Sequence, residues 1–85
     1  MTSEMIEKFI ENKNRKDSGV NIHFKQRSTV KGLFIRTNDY TELKSKNFWR
    51  IVSDSKIEAW EKTKDINLAR IFNGTEFTRL SDSTN

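Results

Sequence analysis

Basic and aromatic side chains are the residues of this sequence whose chemistry points to a ligand. The chain carries 16 Lys and Arg, together with six Phe, two Trp and one Tyr. Binding of single-stranded RNA requires both types, because bases stack on aromatic rings while cations neutralise the phosphates. The formal net charge of +4 and the sequence pI near 9.6 also favour a polyanionic partner. These features point to a nucleic acid without identifying which one.

Catalytic and metal-binding patterns do not occur in the sequence. The chain has one histidine, His23, and no cysteine, which excludes a pair of imidazoles, cysteine catalysis and a zinc-thiolate site. No glycine-rich phosphate loop or nucleophile with a neighbouring base is present. Paired carboxylates such as Glu58 and Glu61 are most simply a solvated face. We therefore expect a protein that is not an enzyme and that uses no metal or cofactor.

The N-terminal segment and the absence of cysteine predict a cytoplasmic location. No apolar run approaches the roughly 20 residues that span a bilayer, so no membrane partner is expected. The first seven residues, Met-Thr-Ser-Glu-Met-Ile-Glu, lack the basic region and apolar core of a signal peptide. The lack of cysteine fits a reducing compartment.

An amphipathic helix is predicted at the start of the chain. Thr2 or Ser3 can cap it, because their hydroxyls accept hydrogen bonds from free backbone N–H groups. Polar residues follow, and Gly19 then offers a stop, which predicts a helix end between residues 14 and 18. The buried stripe consists of apolar residues at helical spacing: Met5, Ile6, Phe9 and Ile10.

After Gly19 the sequence alternates between apolar and polar residues, which predicts a β-hairpin. The first strand runs over residues 20–24, a polar turn covers 26–29, and the second strand runs over 30–37. Gly32 lies inside the second strand, where a curled sheet must bend or another backbone must come close. The hairpin therefore indicates a barrel.

Three further strands are predicted over residues 48–52, 57–63 and 75–80. A short helix is the alternative for the segment beginning at Ile57, because Glu, Ala and Lys favour helices. Residues 66–72 fit one or two helical turns or a strand, and the polar connection 40–47 has no assigned structure. We expect one domain over residues 1–80 and a disordered tail over 81–85.

The order of helix, glycine, alternating strand and glycine-containing strand resembles the first motif of the Sm-like fold, and the bacterial Hfq group within it. The resemblance implies a mainly β fold, in which an N-terminal α-helix precedes a strongly bent, five-stranded Sm-like (SH3-like) β-barrel. Segments 41–47 and 64–74 are additions to the family pattern. One ungapped register aligns the residues that carry the resemblance: Met5, Phe9, Ile10, Val20, Ile22, Phe24, Val30, Gly32, Phe34, Asn38, Asp39 and Tyr40.

The resemblance also implies a pore-side RNA site. Tyr40 stands where the family has an aromatic residue that stacks on a base, and Asp39 stands where it has a polar residue that reads the base. Lys62 would serve as the neighbouring phosphate contact. A packed loop aromatic is the alternative for Tyr40, and an exposed strand lysine is the alternative for Lys62.

A second RNA-binding surface is implied on the opposite face. His23 stands where the family has an aromatic that stacks on purines, and Lys25 and Lys31 lie on the outward side of the hairpin. A solvent-facing histidine is the alternative. The family's arginine-rich rim corresponds to a cluster near the helix end, where interaction with the helix dipole is the alternative: Lys13, Arg15 and Lys16.

Sm-like proteins form rings by pairing the fourth strand of one subunit with the fifth strand of the next, and Hfq-type rings are hexamers. Here the pairing segments would be 57–63 and 76–80. The predicted function is binding of single-stranded RNA by a homo-oligomeric ring, as an RNA chaperone in post-transcriptional regulation. The alternative is a small β-barrel that binds another protein through Trp49, Trp60 and Phe72. A duplex-DNA binder is the third option, although no clear recognition helix is present.

Overall fold

The chain begins with a short capped helix. The computed structural model describes residues 1–12 and 19–82. Helix α1 spans Ser3–Ile10, and its predicted cap is confirmed because the Thr2 hydroxyl accepts a hydrogen bond of 3.2 Å from the Met5 backbone N–H. Ile6 is fully buried, whereas Met5 is 54% exposed, so the buried stripe is narrower than predicted.

The end of α1 differs from the prediction. The helix ends at Ile10 instead of between residues 14 and 18, and Glu11 forms its C-terminal cap. Ile10 is the last apolar residue of the stripe, so a longer helix would gain no further burial against the core. Residues 13–18 lie outside the described residues.

Five strands form one antiparallel sheet in the order β4-β3-β2-β1-β5. The predicted mainly β architecture with an N-terminal helix is therefore confirmed. Among the described strands, β4 pairs only with β3 and β5 only with β1, so strand pairing does not close the sheet between β4 and β5. The strands are β1 (Val20–Phe24), β2 (Val30–Phe34), β3 (Phe48–Ser53), β4 (Ala69–Asn73) and β5 (Phe77–Asp82).

Two short helices interrupt the strands. Helix α2 (Tyr40–Ser45) occupies the connection between β2 and β3, and α3 (Ile57–Thr63) lies between β3 and β4 and packs against β3. Within residues 1–12 and 19–82, no helix has the length and apolar character needed to cross a bilayer. Single 3-10 turns cover Asp54–Lys56, Ile66–Leu68 and Gly74–Glu76.

The prediction of a strand over residues 57–63 is wrong, because this segment is α3. Its residues favour a helix, and Glu58 and Lys62 form an ion pair of 3.2 Å one turn apart. The fourth strand is β4. Residues 66–72 were open to a helix or a strand, and they form a 3-10 turn at Ile66–Leu68 followed by this strand.

The ends of two other strands also differ from the predictions. β2 ends at Phe34 instead of residue 37, although the Ile35 N–H still donates to the Arg50 carbonyl at 3.1 Å. β5 continues to Asp82, because Ser81 and Asp82 pair with the start of β1. These two residues are therefore not part of a disordered tail, and residues 83–85 lie outside the described residues.

The sheet is strongly curled around its core. Phe24 in β1 and Phe72 in β4 belong to strands separated by β2 and β3, yet their ring centroids lie 5.9 Å apart. In a flat sheet, strands three positions apart are separated by about 14 Å. The curl encloses one cluster of buried side chains: Ile6, Val20, Ile22, Trp49, Ile51, Phe77 and Leu80.

Candidate nucleic-acid interface

The β1–β2 hairpin carries cations without any carboxylate. Residues 19–38 contain no Asp or Glu but carry four cations, Lys25, Arg27, Lys31 and Arg36. None of these cations makes an ion pair within the described residues. All three α-helices, by contrast, contain acidic residues. Positive charge that is not neutralised locally is therefore concentrated on the hairpin.

The strand register gathers basic residues on the outer side of this hairpin. Val20 and Ile22 point into the core, so the alternating residues of β1 point outward. Asn21 pairs with Lys31 of β2 and with Ser81 of β5, while His23 pairs with Arg79 of β5. We call this surface the hairpin face. It consists of five residues, none of them acidic: Asn21, His23, Lys31, Arg79 and Ser81.

His23 is held in place on the hairpin face by two polar neighbours. Its Nε2 lies 3.3 Å from Nη2 of Arg79, and its Nδ1 lies 3.2 Å from Oγ1 of Thr29. Because arginine can only donate, Nε2 is the acceptor in the neutral ring and Nδ1–H donates to Thr29. The imidazole is thus fixed beside a guanidinium, which is a combination that suits a base and its phosphate.

Tyr40 is half-buried at the first turn of α2. Its hydroxyl donates to Oε2 of Glu11 at 3.2 Å, and Arg36 and Lys44 lie 5.4 and 5.3 Å from its ring centroid. Burial, with the Glu11 carboxylate as a further cause, raises the pKa of Tyr40 to about 12. The ring also packs edge-on against Trp49 at 6.1 Å. A base that stacks on Tyr40 must therefore compete with contacts that join α1, α2 and the core.

Asp39 is engaged by the protein's own donors. Its Oδ2 lies 2.6 Å from Nη2 of Arg50, its Oδ1 lies 3.3 Å from Nε, and the Thr37 hydroxyl also donates to it. The hydrogen bonds from Arg50 and Thr37 lower the pKa of Asp39 to about 2. This carboxylate anchors the start of α2 to β3, so its oxygens are occupied by contacts within the chain.

The other predicted site residues are dispersed. Lys62 is exposed on α3, where it pairs with Glu58, and Lys25 is exposed just after β1. The structure brings His23 and Lys31 together on the hairpin face and places Tyr40 and Asp39 at α2 instead. The predicted rim cluster lies outside the described residues: Lys13, Arg15 and Lys16.

Sequence reasoning missed two basic residues that adjoin His23 and Lys25. Arg79 lies in the predicted closing strand, but its position opposite His23 depends on the register between β1 and β5, which no local pattern reveals. Arg27 lies in the polar turn between β1 and β2. The absence of any carboxylate from residues 19–38 was the available signal for this basic surface.

A second surface feature is a shallow groove beside α3. Its volume is about 460 Å³, and Trp60 forms part of its wall with Nζ of Lys64 5.3 Å from the indole ring. Trp49, by contrast, is only 2% exposed and belongs to the core, so it is not available to a partner as the protein-interaction alternative requires. The groove is lined by Thr37, Asn38, Asp39, Trp60, Lys64 and Ile66.

Comparisons with known proteins do not show a family for this chain. No family model matches the chain. No curated protein and no solved structure shows significant similarity to it.

Proposed function

We propose that this protein binds single-stranded RNA and that the hairpin face is its principal contact surface. The observation that carries the proposal is that Lys31, His23 and Arg79 lie on one face of three adjacent strands, with no carboxylate among the residues of that face. His23 is opposite Arg79, and Lys31 is opposite Asn21, two residues along β1. Cations at strand spacing match a flexible polyanion, and an imidazole between them offers a surface for stacking.

The sheet topology supports a ring as the functional assembly. In an Sm-like ring, the free edge of β4 in one subunit pairs with the free edge of β5 in the next. Among the described strands, β4 pairs only with β3 and β5 pairs only with β1, which leaves an edge of β4 and residues 77–81 of β5 open to a second subunit. The β4 edge is at Ala69–Asn73 instead of the predicted 57–63, whereas the predicted segment 76–80 overlaps β5. A ring would repeat the hairpin face in every subunit, so that weak single contacts add up to high affinity. We propose a homohexamer that acts in the cytoplasm as an RNA chaperone in post-transcriptional regulation.

Removal of two cations from the hairpin face tests the RNA site. The double variant Lys31→Ala/Arg79→Ala is expected to bind short A-rich or U-rich RNA at least about tenfold more weakly at low salt, because each charge-assisted phosphate contact contributes about 1.5–3 kcal/mol. Its plot of log affinity against log salt should also be shallower by about one to two units. Fluorescence anisotropy with labelled RNA at several salt concentrations measures both quantities.

The control for this test removes the same charge elsewhere. Lys8 in α1 and Lys64 directly after α3 are exposed cations outside the hairpin, without ion pairs in the described part of the chain. The variant Lys8→Ala/Lys64→Ala should retain the affinity of the unmodified protein to within about a factor of three. Equal losses in the two double variants would mean that net charge alone attracts the RNA, and no RNA binding at low salt would refute the proposal.

The assembly is tested by the mass in solution. Light scattering coupled to size-exclusion chromatography is expected to give six times the chain mass of 10.0 kDa. The interface should depend on the open edge of β4, so the substitution Ile71→Pro should reduce the mass, because proline cannot donate a hydrogen bond to a neighbouring strand. A stable monomer at micromolar concentration would refute the ring while leaving RNA binding open to the anisotropy test.

A further inference from the structure

The turn between β1 and β2 places a guanidinium on an aromatic platform. The carbon Cζ of Arg27 lies 5.0 Å from the ring centroid of Phe24 and 5.7 Å from that of Phe72. Both rings are half-buried, and Phe77 packs edge-on against Phe24 at 5.2 Å, with an interplanar angle of 90°. The platform is therefore anchored in the core, and the contact with Arg27 restricts where the guanidinium can lie.

The donors of Arg27 are not used within the described part of the chain. No ion pair or hydrogen bond of its side chain occurs there, whereas the Arg50 guanidinium in β3 is paired with Asp39. The turn Gly74–Glu76 carries a carboxylate and adjoins the hairpin, because the Glu76 carbonyl accepts the Lys25 N–H at 3.0 Å, but its carboxylate makes no ion pair with Arg27. The guanidinium is thus positioned by aromatic contacts while its N–H groups stay available to an anion.

The location of this cluster connects it to the hairpin face. Phe24 follows His23 in β1, and Lys25, an exposed cation without an ion pair in the described residues, follows Phe24. His23 points outward while the Phe24 ring packs on the core side, so the cluster lies beside the end of the hairpin face, and RNA bound at His23 has to turn around this end of β1 to reach Arg27. A planar guanidinium donates two parallel hydrogen bonds to a phosphate, which the point charge of a lysine cannot do.

We infer that Arg27, held on Phe24 and Phe72, is a phosphate-binding subsite that continues the RNA path from the hairpin face. This inference rests on the proposed function and adds a specific anchoring residue to it. Phe24 and Phe72 act as positioning residues, because they restrict the guanidinium without touching the phosphate.

Three variants test the subsite by RNA anisotropy over a range of salt concentrations. Arg27→Ala is expected to weaken binding about tenfold and to reduce the salt dependence by about one unit. Arg27→Lys keeps the charge but loses the planar donors, so it should keep the salt dependence while recovering less than half of the lost affinity on a logarithmic scale. Phe72→Leu keeps an apolar side chain without the ring, and it should weaken RNA binding although Arg27 is intact.

A spectroscopic readout separates positioning from simple charge. Ring currents of Phe24 and Phe72 should shift the Arg27 Hε signal upfield in a ¹⁵N–¹H spectrum, and Phe72→Leu should move the signal back toward the ordinary position. Addition of RNA should shift this signal in the unmodified protein. Thermal unfolding of every variant shows whether the fold is retained.

The outcomes distinguish the subsite from the proposed function. Full affinity in Arg27→Ala, combined with a loss in Lys31→Ala/Arg79→Ala, would overturn the subsite and leave the RNA-binding proposal standing. Affinity of Arg27→Lys equal to that of the unmodified protein would also overturn it, because any cation would then suffice. A failure of the unmodified protein to bind RNA would refute the proposed function itself, and recovery of an acidic protein partner that depends on Arg27 would reassign the cluster.

Discussion

Replacement of Trp49 by alanine is expected to lower the free energy of unfolding by about 3–5 kcal/mol, the usual cost of removing a buried aromatic side chain. Trp49 is 2% exposed, packs against the rings of Phe34 and Tyr40, and donates from its indole N–H to Oδ1 of Asn47 at 2.8 Å. Asn47 in turn accepts the backbone N–H of Gly74 at 2.8 Å. The substitution would leave a large cavity and also remove a donor from the connection between α2, β3 and the turn before β5.

Urea unfolding followed by circular dichroism measures this effect without relying on tryptophan fluorescence. Trp60→Ala is the matched control, because Trp60 is half-buried beside the groove and lies outside the core cluster. Trp49→Phe should give an intermediate loss of about 1–2 kcal/mol, since the ring is retained while the Asn47 oxygen loses its donor. A loss in Trp49→Ala no larger than that in Trp60→Ala would contradict the central position of Trp49.

Substitution of Gly32 by alanine is expected to destabilise the protein by about 2–3 kcal/mol through steric overlap. A Cβ atom at this position would lie 2.7 Å from Cγ2 of Ile51 and 2.7 Å from the carbonyl oxygen of Val52. Val52 belongs to the β2–β3 ladder, so its backbone cannot withdraw without breaking strand pairing. Where a site can accept a Cβ atom, replacing glycine by alanine usually stabilises the protein by about 0.4–1 kcal/mol, because alanine lowers the conformational entropy of the unfolded chain. At Gly32 the steric overlap outweighs this gain.

Lys31→Ala provides the control for this substitution in the same strand. Lys31 lies next to Gly32 but points to the hairpin face, where the loss of its side chain creates no overlap. Its free energy of unfolding should change by less than about 1 kcal/mol. Chemical denaturation of both variants checks the difference, and an alanine at residue 32 that is neutral or stabilising would contradict the close approach between β2 and β3.

Local sequence patterns predicted those elements whose periodicity also satisfies the core. The Thr2 cap, the helix containing Ile6, and the alternation of Val20 and Ile22 all reappear in the structure, because local preference and tertiary burial favour the same conformation there. Gly32 inside the second strand predicts either a bend or a close approach between backbones. The contact distances to β3 support the second reason directly.

For the segment 57–63, the local sequence pattern did not distinguish a strand from a helix. A fifth strand was needed to complete the expected sheet, and the apolar residues Ile57 and Trp60 allowed either a strand or a helix. The helix forms because its own residues favour it, and because β4 supplies the pairing that β3 requires. Which of two ambiguous segments pairs with β3 depends on the whole sheet and is not encoded in either segment alone.

The sequence predicted only part of the candidate site, because the rest depends on pairing between distant strands. Residue types and strand alternation placed His23 and Lys31 on an outward, basic face. Their neighbour Arg79 is 56 residues from His23 in the chain, and only the β1–β5 register brings their side chains together. Tyr40 and Asp39 carried the right chemistry, but tertiary contacts engage both with charged partners.

The sequence by itself determined that the first half forms a capped helix and a basic hairpin, because cap, periodicity and charge are local properties of consecutive residues. Only the tertiary structure decided which residues meet across distant strands. The curl of the sheet brings Phe72 to Phe24 and so creates the platform for Arg27, since contacts between separated strands depend on register and curvature, which no local pattern specifies.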